Sequence, residues 1–201
     1  LVPNLYVTRQ LSDGVTAGLG LFAPFGLETE YDRDWVGRYH GVKTKLSTLN
    51  VNPSLACRVN DRLSVGAGVS AQYIDAELSS AVDFGGILAG QGVPGVMPQM
   101  LDGKVKVEGD SWGYGVNVGL LYQLLDSTRV GAQYRSSVSH DLEGNAKFKV
   151  PAPAAPLQAM NMFVDCDAEA ELDFPETASI GVAHTLNDAV SLYADAAWTR
   201  W

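Results

Sequence analysis

The 201 residues suffice for one large domain or two small ones, and 14 basic against 23 acidic side chains leave a formal charge of −9. That balance, with no clustered basic face, excludes nucleic acid as a partner. No run of about 18 apolar residues occurs, which excludes a transmembrane helix but not a membrane β-barrel, and the opening LVPNLYVTRQ lacks the charged start and apolar stretch of a signal peptide. Glycine is abundant (21), 46 % of residues are hydrophobic and only 18 % are charged. Apolar and small or polar residues must therefore interleave finely, as in strands with one apolar face.

The first clear strand is VTAGLGLF, where Val15, Ala17, Leu19 and Leu21 alternate with Thr16, Gly18 and Gly20. FAPFGLETEY then breaks the pattern. Pro24 has no amide for a sheet ladder and Gly26 tolerates angles that kink a strand, so a neighbouring strand should lose its partner here. The pair TLNVNPSLACRV and LSVGAGVSAQY, joined at Asn60-Asp61, reads as a hairpin. So do WGYGVNVGLLYQL with RVGAQYRSSV across Asp126-Ser127, and TASIGVAHTL with AVSLYADAAW across Asn187-Asp188.

About eight strands result. Their short turns, beginning with Ser12-Asp13-Gly14, alternate with long links over about 23–45, 78–111 and 141–169. Short turns on one side, long loops on the other and aromatic residues near the strand ends (Tyr73, Trp112, Tyr114, Tyr122, Trp198, Trp201) match an antiparallel transmembrane β-barrel forming a single domain over 1–201. A soluble β-sandwich also alternates, but its strands run ~5–6 residues rather than the ~9–11 that a bilayer requires. In a barrel Cys57 lies near a turn and Cys166 near the loops, about 25 Å apart, so the two should be free thiols.

The runs GLGLFAPFGLETEYDRDWVGRY, STLNVNPSLACRVNDRLSVGAGVSAQY, GDSWGYGVNVGLLYQLLDSTRVGAQYRSSVSHDLEGN and LDFPETASIGVAHTLNDAVSLYADAAWTRW closely resemble the FadL family of outer-membrane transporters for long-chain fatty acids and other hydrophobic molecules. The resemblance implies a roughly fourteen-stranded barrel, of which this chain would be a fragment without the N-terminal hatch and the C-terminal strands, monomeric when complete. It implies residence in the bacterial outer membrane among lipid and lipopolysaccharide. It also implies passive uptake of a hydrophobic small molecule, a fatty acid or a neutral or aromatic hydrocarbon, with sideways exit through a wall gap at the kink of Pro24 and Gly26, beside Phe22 and Phe25. Lateral release keeps the cargo's apolar area out of water, at about 25 cal/mol per Å².

Two links are unusually apolar for loops. One offers Val82, Phe84, Ile87, Leu88, Val96, Met97, Met100 and Leu101, and the other Leu157, Met160, Met162 and Phe163. Exposed patches of this kind mark binding surfaces, and methionine accommodates varied shapes; packing of the two loops on each other as a cap is compatible with this. The family's interior arginine, which holds a carboxylate, aligns with Ser80. Arg58 and Arg135 face the lumen by parity and are the candidate lumen charges, and the departure at Ser80 leans the substrate toward neutral compounds.

No catalytic residue, cofactor or metal site is expected. His40 falls in a loop, His140 at the outer end of a strand and His184 on a lipid-facing parity, none with nucleophile or carboxylate neighbours at a catalytic spacing, and no Gly-x-Ser-x-Gly occurs. The acidic ladder Asp165, Asp167, Glu169, Glu171 and Asp173 reads as a solvated rim, since a calcium site also needs a turn to wrap its ligands. The alternative function is a complete small eight-stranded outer-membrane barrel with a structural or adhesive role.

Overall fold

Tight turns and long excursions alternate along the chain, and the strands they join form one antiparallel sheet. The computed structural model describes residues 3–201, so Leu1 and Val2 of the expected domain lie outside the described residues. In chain order the elements are β1 (Asn4–Ser12), β2 (Val15–Phe22), β3 (Gly26–Glu30), β4 (Lys43–Arg58), β5 (Leu63–Asp83), α1 (Phe84–Gly90), β6 (Asp102–Leu125), β7 (Thr128–Arg135), β8 (Val138–Lys149), α2 (Ala155–Ala159), β9 (Cys166–Phe174), β10 (Thr177–Asn187) and β11 (Val190–Thr199). Hydrogen-bonded order is β1-β2-β4-β5-β6-β7-β10-β11. β3 continues β2 along β4, while β8 and β9 continue β7 and β10. The strand segments thus trace eight paths, as the hairpin reading expects. Among the described residues β1 and β11 do not pair, so the sheet is open, whereas the closed eight-stranded barrel of the alternative reading requires that pairing.

Two of the turns share one device. Asn60 Oδ1 accepts the amides of Arg62 and Leu63, and Asn187 Oδ1 accepts those of Ala189 and Val190. The side chain supplies the acceptor that reverses the chain, as asparagine does in Asx turns.

β5 and β6, at 21 and 24 residues, are about twice as long as a bilayer requires. They pair in one register from Leu63–Tyr122 to Asp83–Asp102. Toward the turn end the convex face carries Val65, Val69, Tyr114, Val116, Val118 and Leu120, and the concave face Gly66, Ser70, Gln72, Gly115, Asn117 and Gly119. At the pair Tyr73–Trp112, whose ring centroids are 5.3 Å apart, the faces exchange chemistry. Beyond it the convex face reads Asp75, Glu77, Asp110, Glu108, Lys106 and Lys104, while the concave face reads Ile74, Ala76, Leu78, Val107 and Val105.

The spans expected as loops therefore hold much strand. β3 and the start of β4 occupy part of 23–45, β5 runs to Asp83 and β6 begins at Asp102 within 78–111, and β8 and β9 enter 141–169. Period-two alternation persists through the crossover with its phase inverted. A reading that follows one apolar face ends each strand where that face turns charged.

Candidate functional site

β4 carries two partners in succession on the same edge. Phe22 lies opposite Asn50 and Gly26 opposite Ser47, so the β2–β3 path spends four steps where β4 spends three. That surplus residue is a β-bulge: it breaks the ladder at Ala23–Phe25 and reverses which side chains point inward. Thr48 repairs the break. Its Oγ1 accepts the Phe25 amide at 3.0 Å and donates to the Phe25 carbonyl at 2.6 Å.

Gly26, by contrast, has no left-handed backbone, since among the described residues positive φ among glycines occurs at Gly92 and Gly95. A Cβ at Gly26 would come no nearer than 3.9 Å to the Leu46 carbonyl. The kink is thus maintained by Pro24, which offers no amide, and by Thr48, rather than by glycine's conformational freedom.

A second break lies on the opposite wall. Arg135 faces Asn117 and Glu143 faces Asp110, eight steps against seven. Ser136 donates its amide to the Val116 carbonyl, and its Oγ accepts the Val116 amide where the ladder parts. β8 then leans inward over β6, and glycine makes the room. A Cβ at Gly113 would lie 2.6 Å from the Ser139 carbonyl and from Val138 Cγ1, and one at Gly115 would lie 2.9 Å from Val138 Cγ2.

The two breaks meet in the interior. Phe25 stacks on Phe174 with centroids 4.3 Å apart, and the edge of His140 meets Phe174 at 5.5 Å. Ile74, Ala76 and Leu142 complete the buried cluster, with Leu46 and Leu172 against it. His140 is therefore an interior residue at the start of β8, not a terminal one. Its Nε2 lies 3.2 Å from Gln72 Nε2, the geometry of an amide donating to an unprotonated ring nitrogen. Parity counted from β7 misplaces His140, because the extra residue at Ser136–Ser137 is silent in the sequence.

Below this cluster lies a concavity of about 760 Å³. Phe22, Pro24 and Phe25 form its wall at the first break, with Ser54, Asn117, Gln133 and Arg135 around it. Asn52 Nδ2 donates toward Val69 O, Ser70 Oγ and Asn117 Oδ1, which ties three strands together beside the space. The Arg135 guanidinium sits 4.9 Å from the Phe22 ring centroid, half-buried, in no ion pair among the described residues. Arg58, the other lumen charge candidate, is exposed at the turn end of β4 and lies outside the lining of this concavity.

The loop residues divide sharply. Phe84, Leu88 and Leu157 are buried with Ala154 in a core of their own, against which Val82, Ile87, Val96, Leu101 and Phe163 pack. Phe163 meets Phe84 at 4.9 Å and Phe148 at 5.8 Å, both edge to face. The two apolar loops thus cap each other. Met97, Met100, Met160 and Met162, all the methionines of the chain, remain exposed on that cap. Asp165 accepts the Phe148 amide, and the rest of the acidic ladder lies along the solvent side of β9. Cys57 and Cys166 are both free and exposed.

An antiparallel sheet with an apolar convex band, an aromatic boundary and a small-residue concave face is the wall of a transmembrane β-barrel of outer-membrane type. The chain belongs to the family of outer membrane protein transport proteins (OMPP1/FadL/TodX), whose model matches residues 1–201. It is similar to the long-chain fatty acid transport protein of Escherichia coli O6:H1 (34 % identical over 158 residues; 74 % of this chain, 35 % of that protein) and to outer membrane protein P1 of Haemophilus influenzae Rd (28 % over 216 residues; 100 % and 46 %). A solved Pseudomonas aeruginosa FadL homologue superposes with a TM-score of 0.87 at 25 % identity, over all of this chain and 48 % of that one. The Pseudomonas putida toluene transporter TodX shares the fold, with a TM-score of 0.72 at 23 % identity over all of this chain and 54 % of that one. The chain spans about half the length of these relatives or less. Its location is the outer membrane, and hydrophobic compound transport is the work of its family.

Proposed function

We propose that this chain forms part of the wall of a channel for passive uptake of hydrophobic small molecules, and that the cargo leaves sideways at Ala23–Phe25. One observation carries the reading: the break in the wall and the interior concavity coincide, with Pro24 and Phe25 belonging to both. Cargo first touches the exposed methionines of the loop cap. It then follows the concave apolar surface of Leu78, Val105 and Val107, passes the buried cluster around Ile74, reaches the concavity and leaves between the broken ladder and the bilayer. Diffusion down the gradient drives the flow.

Arg135 decides how far the cargo class extends. A half-buried guanidinium over an aromatic ring, without a carboxylate partner among the described residues, offers charge-assisted hydrogen bonds to an anionic head group. With Ser80 at the position where the family resemblance places an arginine, Arg135 gives the space an alternative anchor. The cargo thus extends from neutral hydrocarbons to amphiphiles with a carboxylate. Uptake of a radiolabelled fatty acid and of toluene by cells expressing the full-length protein, with and without Gly26→Val, tests the route. Loss of both fluxes at unchanged protein level supports it, and unchanged fluxes remove the lateral exit.

A further inference from the structure

All six lysines of the chain, Lys43, Lys45, Lys104, Lys106, Lys147 and Lys149, lie on the convex face of the sheet extension beyond Tyr73–Trp112. Five of them fall in two adjacent rows, while Lys45 stands opposite Glu77 in the row below. Lys43, Ser79, Lys106 and Lys147 stand side by side across β4, β5, β6 and β8, and Ala81, Lys104 and Lys149 form the next row out. The outer row contains no carboxylate, and the inner row has one, Glu30, at its β3 end opposite Lys43. Lys106 faces Lys147, and Lys104 faces Lys149, as direct cross-strand neighbours, an arrangement of like charges that destabilises an antiparallel sheet.

Nearer the aromatic boundary the same face is acidic, and the lower lysines reach toward it. Glu108 takes both Lys106 (2.6 Å) and Lys147 (2.7 Å), Glu77 lies 3.5 Å from Lys106, and Asp75 lies 3.9 Å from Lys45. Lys43 reaches Glu30 at 3.8 Å. The outermost pair has no such relief: Lys104 and Lys149 form no ion pair among the described residues.

We infer that these two rows dock the phosphate- and carboxylate-bearing sugars of lipopolysaccharide in the outer leaflet. The position of the rows fixes the partner. They lie six to eight residues past Trp112, on the order of 15–20 Å above the apolar band at ~3.3 Å per residue with strand tilt, and face away from the lumen, where the polar sugars of the leaflet surround a barrel. Anionic groups bridging Lys104 to Lys149 turn a repulsive pair into a chelating one. The inference rests on the outer-membrane location and is independent of the transport route.

The full-length protein in detergent micelles is titrated with rough lipopolysaccharide that retains its phosphorylated inner core, intact or enzymatically dephosphorylated. The double substitution Lys104→Gln with Lys149→Gln should weaken binding of the intact form by about tenfold at low salt and that of the dephosphorylated form, which keeps its carboxylates, by less. Lys104→Glu, which creates an opposite-charge pair with Lys149, should raise the melting temperature without lipopolysaccharide and lower affinity with it. Equal affinity of wild type and double variant for the intact form overturns the inference, as does equal competition by polyglutamate, which would mark a surface for acidic protein. Uptake by the double variant stays at the wild-type level, so the transport reading and this one fail separately.

Discussion

Phe25 stacks face to face on Phe174, 4.3 Å between centroids, and so joins the broken strand on one wall to the strand end beside the second break. Phe174 is 6 % exposed and also takes the edge of His140. Phe174→Ala should therefore cost about 3 kcal/mol of unfolding free energy, as truncations of buried phenylalanine do. Denaturant titration of the full-length protein in lipid vesicles measures it. A loss below about 1 kcal/mol would show that the stack does not hold the two breaks together.

Thr48 makes a narrower claim. Thr48→Val keeps the shape but strips the Phe25 amide and carbonyl of their partner, at about 1–3 kcal/mol. Hydrogen exchange at residues 23–27 should accelerate while β5 stays protected. Acceleration spread evenly over the sheet would mean that Thr48 serves global stability only.

Gly26→Val leaves room for the new side chain, with the nearest neighbour of its Cβ at 3.9 Å. The amount of folded protein in the membrane should match wild type while uptake falls severalfold, as the proposed lateral exit requires. Western blotting of membrane fractions alongside the flux assay separates the two effects.

Arg135→Gln should weaken carboxylate cargo by about tenfold or more, given 1.5–3 kcal/mol for a hydrogen bond to a charged group. Neutral cargo should bind as before. Fluorescence competition with a fatty acid and with its methyl ester tests the difference, and parallel losses for both ligands would assign Arg135 to the packing of the wall.

Met97→Gln and Met100→Gln, both on exposed side chains, should reduce ligand capture without a change in melting temperature. Phe163→Ser should lower both, because Phe163 packs against Phe84 and Phe148 inside the cap. Calorimetry beside ligand titration distinguishes them.

Acid should act on the extension through Glu108. Lys106 and then Lys147 pull its carboxyl down from 4.5 to about 2. A group whose pKa is lower when folded stabilises the fold above its unfolded pKa, and that contribution fades as pH falls from about 4.5 through about 2. Glu108→Gln should flatten that part of the pH–stability curve, read as melting temperature between pH 5 and pH 2.

The barrel wall was legible because its strands alternate with period two and their turns are marked by Asn and Asp. The kink was legible for half of its cause: Pro24 announces a lost amide, but Thr48, which accepts the displaced backbone, lies 23 residues away. His140 was not legible. One additional residue at Ser136–Ser137 reverses the parity of everything beyond it until Lys149, and only pairing with Asp110 and Leu172 reveals the slip. The strand extensions were written in the sequence as Ile74, Ala76 and Leu78 against Asp75, Glu77 and Ser79. They continue the alternation with its sense inverted, which a search for a single greasy face discards.

That inversion also sets the vertical register of the protein. Sinking the wall by one residue pair would drag Asp75 and Asp110 into hydrocarbon, and raising it would strip Tyr73 and Trp112 from the interface they occupy. Either displacement costs several kcal/mol across neighbouring strands. The wall is thereby pegged at one depth, and the leaflet must bring its midplane to the protein.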